Sequence, residues 1–492
     1  MNTKAVFLTI LISITIFGVV VAQNNLSQML YDQYPQFKEN EIIEKRFSHE
    51  ELMDVLEKIH KSDLIKIVNA GHSIEEREIK LIRIGTGQIN VLAWSQMHGD
   101  ESTATMALLD LIKFFASDNT EFSDVRNLIT EKVSFYFIPM LNPDGTENFT
   151  RRNDMDIDIN RDALRLQFPE SQILKAVQDS LKPAFAFNLH DQSTRYTVGN
   201  SYKAATISFL APAFNYKKDI NDVRENAMKL IAYLKKELDH FIPGHIAKYS
   251  DDFEPRAFGD NFVKWGSSLI LIESGGWKNN YEKQFLRKIN FIALVSGLYS
   301  IASGSYNNES IEDYNAIPEN KEKLFDLLLR NVTVFNNGKE YLIDIGINQN
   351  EEGTSDSRDF YFDGVIEDVG DLSTFYGYDE IDCKGMKLEQ AKIYPETFKN
   401  IDDLKAIDIP KKILSKGYSF VKVDSINTED KFTLLPVNII ENNSDIKMEF
   451  KLDEPANFIL TENDELIFTC VNGFLYDVRS QKNYIKNGRI FK

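Results

Sequence analysis

His98 and Glu101 stand three positions apart in Met97-His98-Gly99-Asp100-Glu101. The apolar run Asn90-Val91-Leu92-Ala93-Trp94-Ser95 precedes them, and Ser102-Thr103-Ala104-Thr105-Met106-Ala107-Leu108-Leu109 follows as a helix start. An imidazole and a carboxylate at such a strand-to-helix turn can point at one spot. One nitrogen and one oxygen there make two-thirds of a catalytic zinc site of the His/Glu/His kind. The third ligand must come from another element. His190 ends the apolar run Ala184-Phe185-Ala186-Phe187-Asn188-Leu189, as His98 follows its own. Carboxyl ends of strands face the ligand crevice of an α/β sheet, so His190 completes the set and water takes the open position. Zinc hydrolysis also needs a base that is not a ligand. Glu273 closes Leu269-Ile270-Leu271-Ile272, and a carboxylate poised by partial burial suits that role. Arg151-Arg152-Asn153 and Asp158-Ile159-Asn160-Arg161-Asp162 follow the turn Asn142-Pro143-Asp144-Gly145. Guanidinium groups beside the same crevice can clamp a carboxylate or polarise a carbonyl.

Such residues need a sheet to hold them. Period-two patterns and apolar runs predict strands over 78–84, 90–95, 132–139, 184–190 and 267–273. Helical spacing predicts helices over 172–181, 219–241 and 281–300, and through most of 27–68, where Ser48 and Glu51 form a capping box. Strands alternating with helices over this length mean an α/β fold with a largely parallel or mixed sheet. The texture changes after Tyr306. Residues 307–326 read as a linker, and strand patterns dominate 327–492. The expected layout is a signal peptide at 1–22, a catalytic domain with a helical lead-in at 23–306, the linker, and a β-rich accessory domain.

The chain has 492 residues, 43% of them hydrophobic and 12% aromatic, which describes a globular protein of two or three domains. Its net charge is 56 − 75 = −19, which argues against nucleic acid and anionic membrane surfaces as partners. Met1-Asn2-Thr3-Lys4 is a positive head, 5–21 is apolar, and Val20-Val21-Ala22 is a small-residue cleavage signal. A secretory signal peptide cut after Ala22 is expected, with the mature protein secreted or periplasmic. The length of the apolar run leaves an uncleaved anchor as the alternative. Cys383 and Cys470 could pair in an exported protein or serve as two separate core thiols; no further ligand is spaced to make them a metal site.

Taken in order, His98-x-x-Glu101, Asn142-Pro143-Asp144-Gly145, Arg151, Asp158-x-Asn160-Arg161, His190 and Glu273 resemble the zinc metallocarboxypeptidases of the carboxypeptidase A/B type, over roughly 47–300. The resemblance implies a mixed eight-stranded sheet between helices, with one Zn²⁺ at the strand ends. It makes His98, Glu101 and His190 the metal ligands. Glu273 becomes the base that activates water and later protonates the leaving amine. Arg151 becomes the polariser of the scissile carbonyl, Asn160 and Arg161 the pair that holds the terminal carboxylate, and Asp158 the acid that orients His98. Tyr249 is the nearest position to the family's mobile tyrosine, in an acidic loop. Asp191-Gln192 departs from the family's usual residues after the third ligand. The implied activity is release of the C-terminal residue from peptides with a free α-carboxylate.

The C-terminal third, with Asp363-Gly364-Val365-Ile366-Glu367, Cys383-Lys384-Gly385 and Val471-Asn472-Gly473, is similar to the small β-sandwich that flanks the barrel of amidohydrolases. The barrel's own metal motif is absent, so no amidohydrolase activity is implied. Two other functions stay open: an amidase acting on cell-wall muropeptides, and a non-catalytic binder of peptide or carbohydrate on the same fold. Zinc content separates the last from the others.

Overall fold

The computed structural model describes residues 26–59, 63–354, 356–444, 446 and 449–492. The expected signal peptide lies outside the described residues. The described residues divide into two compact units, 26–199 with 203–321 and 200–202 with 322–492.

The first unit is built on eight strands: β1 (Ile65–His72), β2 (Glu78–Ile84), β3 (Ile89–Trp94), β4 (Val133–Ile138), β5 (Phe185–Asp191), β6 (Ile207–Leu210), β7 (Ile246–Lys248) and β8 (Ser268–Ser274). Their order in the sheet is β1-β2-β4-β3-β5-β8-β6-β7. The central strands β4, β3, β5 and β8 run parallel; β2 and the β6/β7 pair run opposite to them, and β1, antiparallel to β2, runs with them. Helices α1 (His49–Lys58), α2 (Thr103–Ala116), α3 (Ser123–Lys132), α4 (Pro143–Glu147), α5 (Pro169–Leu181), α6 (Asp222–Leu238), α7 (Phe258–Lys264) and α8 (Gln284–Ser303) connect them.

Alternation along each central strand feeds two cores. Val91 and Ala93 of β3, with Phe185, Phe187 and Leu189 of β5 and Ile270 and Ile272 of β8, pack with α2, α6 and α8. Leu92 and Trp94, with Ala186 and Leu269, pack on the other face with Leu174 of α5 and Phe258 and Phe262 of α7. Both faces are covered, which is why these strands read as apolar runs rather than as half-polar ones. Helix α8 is apolar enough to cross a membrane by composition, but 78% of that stretch is buried inside the protein. It is the central core helix.

Two expectations change. Residues 65–72 form an edge strand, not the tail of a helical segment. The stretch read as a linker carries a helix, α9 (Ile311–Asn315), started by a capping box at Ser310 and Asp313 and anchored by the buried Tyr314. The Tyr314 hydroxyl accepts from the Ala211 N–H at 3.2 Å.

The second unit holds a nine-stranded sheet and a five-stranded one. In the larger, the long hairpin Leu324–Asn336 and Lys339–Gly353 pairs onward with Phe360–Gly370. In the smaller, Lys392–Phe398, Tyr418–Val423 and Asn438–Glu441 run parallel. Cys383 and Cys470 are free thiols, both buried in one apolar core.

Candidate active site

β3 connects to β4 on one side of the sheet, and β5 lies on its other side. That arrangement opens a crevice at the carboxyl ends of β3 and β5, the usual ligand position in such sheets. After Trp94 the chain leaves β3 through Gln96, which takes a left-handed conformation (φ 45°). The Gln96 amide donates to the Gly99 carbonyl at 3.0 Å and to Thr146 Oγ1 at 3.1 Å. Asn142 caps α4 by accepting from the Gly145 N–H at 3.0 Å, and Pro143 starts the helix. The two turns meet at their glycines: a Cβ on Gly99 would stand 2.1 Å from the Gly145 carbonyl carbon. This contact seats the His98–Glu101 turn beside the loop that carries Arg151.

His98, Glu101 and His190 converge, with one ligand atom from each lying within 4.8 Å of the others. Nδ1 of His98 is 2.7 Å from Glu101 Oε1, and Nδ1 of His190 is 2.6 Å from Glu101 Oε2. All three side chains are buried. Asp158 begins a single 3₁₀ turn, and its Oδ1 pairs with His98 Nε2 at 3.1 Å while accepting from the Asn160 N–H at 2.9 Å. It thereby fixes the ring with Nδ1 turned inward. Arg151 grips Asp158 Oδ2 through Nε at 3.2 Å and Nη2 at 3.0 Å, and its Nη1 reaches Glu101 Oε1 at 3.3 Å.

Glu273 is paired in register with His190 across β5 and β8. Its side chain is on the same sheet face, two residues beyond Leu271. Asn160 spends its Oδ1 on the Phe258 N–H at 2.9 Å, which leaves its NH₂ as the end able to donate to a ligand. Arg161 stands 3.6 Å from Glu254 and is more than a third exposed. Tyr249 follows β7. All of these except Asp158 line one cleft of about 190 Å³.

The charges explain each other. Burial opposes the protonated ring of His98, but Glu101 and Asp158 outweigh it and hold its pKa up at about 9. Burial also opposes the Glu101 carboxylate, yet the two flanking imidazoles hold it well below the usual range. Burial and then the Glu101 charge push Glu273 well up. Burial raises Asp191 to about 6, where its Oδ2 accepts from Thr103 Oγ1 at 2.6 Å. The pocket is therefore a buried site that draws positive charge to its centre, beside a carboxyl that gives up its proton late. Two imidazole nitrogens and a carboxylate oxygen, with one ring oriented by a second acid, form a donor set that fits zinc.

Sequence reasoning missed several cleft residues: Asn188, Leu210, Pro212, Glu254, Gly259 and Asp260. Asn188 was legible in principle, since it lies two residues before His190 on one strand and so shares its face.

No curated protein matches the chain. Among solved structures, a metallo-carboxypeptidase from Burkholderia cenocepacia is similar at 16% identity, covering 53% of this chain and 70% of its own, with a TM-score of 0.42. The carboxypeptidase A from Helicoverpa armigera is similar at 16% identity, covering 59% and 82%, with a TM-score of 0.40. A metallo-carboxypeptidase from Pseudomonas aeruginosa, solved in complex with (2-guanidinoethylmercapto)succinic acid, gives 17%, 52%, 69% and 0.39. Residues 49–207 match the family model described as zinc carboxypeptidase. That stretch contains His98, Glu101, Arg151, Asp158, Asn160, Arg161 and His190, and ends before Tyr249 and Glu273. Over residues 49–207, about a third of its length, the chain is similar to the zinc carboxypeptidases.

Proposed function

We propose that the chain is an exported zinc metallocarboxypeptidase that removes the C-terminal residue of peptides. The observation that carries the reading is the convergence of His98, Glu101 and His190 in one cleft, with Glu273 in register beside His190. A zinc ion held by those three side chains would supply a Lewis acid and an acidified water. The remaining work falls to the protein's own groups. Asn160 and Arg161 receive the terminal carboxylate and set the last amide bond in the cleft. Arg151, anchored on Asp158, donates toward the carbonyl oxygen as negative charge builds there. Glu273 takes a proton from the attacking water and returns it to the leaving amine. Tyr249 lines the wall, where it can cover the bound peptide. Export rests on the residues of 1–22, and the mature chain would begin at Gln23.

Protein beginning at residue 23, incubated with mixed peptides and muropeptides with and without a zinc chelator and read by mass spectrometry, tests this. Chelator-sensitive loss of single C-terminal residues from peptides is the expected result. Cleavage confined to muropeptides would move the assignment to a cell-wall amidase. Stoichiometric zinc without any cleavage would overturn both.

A further inference from the structure

One group in the cleft has no task in that reaction. Asn188 is 2% exposed, yet its Oδ1 has no hydrogen-bond partner among the described residues. Among the described residues, no hydrogen bond is made by its Nδ2 either. A buried amide left unpaired is costly, and such groups are rare without a reason. Leu210, Pro212, Ala257 and Leu271 contribute hydrocarbon to the wall of the same cleft. Gly259 leaves room in front of it, since a Cβ there would stand 3.4 Å from Asn188 Nδ2.

Position turns this into a statement about substrate. Asn188 and His190 are alternate residues of β5 and lie on one face of the sheet, and Leu271 and Glu273 pair with them from β8. A group that reaches Asn188 is therefore attached close to the bond that Glu273 and Arg151 address. Resting on the carboxypeptidase reading, we infer that Asn188 selects the substrate's terminal side chain, and that the side chain it selects ends in a primary amide. The argument is complementarity. An amide accepts from Nδ2 and donates to Oδ1, pairing both ends of Asn188. An ammonium pairs only Oδ1, a carboxylate only Nδ2, and a hydrocarbon neither. Sites built around a buried hydrogen-bonding group reject analogues that leave it unpaired far more strongly than apolar pockets reject a missing methylene.

The test is a set of peptides identical except for a terminal Gln, Asn, Leu, Lys or Glu, offered to the zinc-loaded enzyme. Ratios of kcat/KM within one enzyme do not depend on how much of it folds. Gln or Asn should lead Leu by about a hundredfold or more. Asn188→Leu should reverse that order, and the nearly isosteric Asn188→Asp should move the preference to Lys. An order with Leu or Lys ahead of both amides in the parent enzyme, unchanged in the two variants, would overturn the inference and leave the carboxypeptidase reading standing. Release of no residue from any of the peptides would overturn that reading, and the inference with it.

Discussion

At the scale of single residues, what was legible was what carries a type and a spacing. His98, Glu101, His190 and Glu273 stand out because few other roles place those residue types at or just beyond strand ends, and Arg151 because it follows the Asn142-Pro143-Asp144-Gly145 turn. Asn188 could be placed on the sheet face of His190 by its spacing, but its unpaired oxygen and the burial of Asp260 are not written in a sequence. The Glu273 assignment makes a sharp demand. Glu273→Gln keeps the shape and removes the base, so kcat should fall by about 10²–10⁴-fold while bound zinc stays at parent level. Loss of the metal in that variant would make Glu273 a ligand and sink the assignment. Asp260 sets a pH dependence. Burial raises its pKa to about 7, against about 3.9 in an unfolded chain. Between those values the folded protein holds a proton that the unfolded chain has released, so stability falls as pH rises from about 4 to about 7. Asp260→Asn keeps the oxygen that accepts from the Glu254 N–H at 3.0 Å and removes the penalty. Its gain in melting temperature over the parent should grow across that range and then level off. A gain that is flat with pH would mean the carboxyl is not held neutral.

At the scale of elements, the buried central strands were readable and the edges were not. β4, β5 and β8 are covered on both faces and so appear as apolar runs, whereas β1 mixes charges with apolar residues and imitates a helix. The short α9 was hidden because its polar composition is that of a linker, and its one buried residue is Tyr314. What matters most for the site is the meeting of two turns at Gly99 and Gly145. Nothing in either motif says that the backbones touch. The Gly145 carbonyl carbon, 2.1 Å from a Cβ on Gly99, cannot move without shifting α4 and the Arg151 loop behind it. Gly99→Ala should therefore cost about 1–3 kcal/mol or more through overpacking. It should also lower zinc occupancy, because the displaced turn carries two of the three ligands. A variant with parent stability and a full complement of zinc would show that the turns slide apart freely.

At the scale of the whole catalytic unit, a buried ion pair ties the lead-in segment to two core helices. Asp110 of α2 and Arg287 of α8 are each 0% exposed and are joined by two hydrogen bonds, from Nε at 2.8 Å and Nη2 at 2.5 Å. Around them wraps the lead-in segment. The Tyr34 hydroxyl and the Glu39 N–H donate to Asp110, both at 2.7 Å, and Arg287 donates to the Ile42 and Glu39 carbonyls, also at 2.7 Å. Residues separated by 177 positions carry no shared signal in a single sequence, so this clamp was invisible before the fold. It joins the lead-in to α2, the helix that follows Glu101, and to the core helix α8. A fully buried ion pair is a poor stabiliser relative to hydrocarbon, but removing one partner strands the other charge. Asp110→Leu should thus cost about 3–5 kcal/mol and expose the 26–47 segment to protease. Asp110→Leu with Arg287→Leu removes the stranded guanidinium as well. It should cost less than the single change, even though the Tyr34 hydroxyl and the Glu39 N–H lose their acceptor in both. Denaturant melts of the parent, of Asp110→Leu and Arg287→Leu singly, and of the double variant decide this. A double variant as unstable as the sum of its parts would mean that the lead-in is held by packing of Leu30, Tyr34 and Phe37 and not by the charges beneath them.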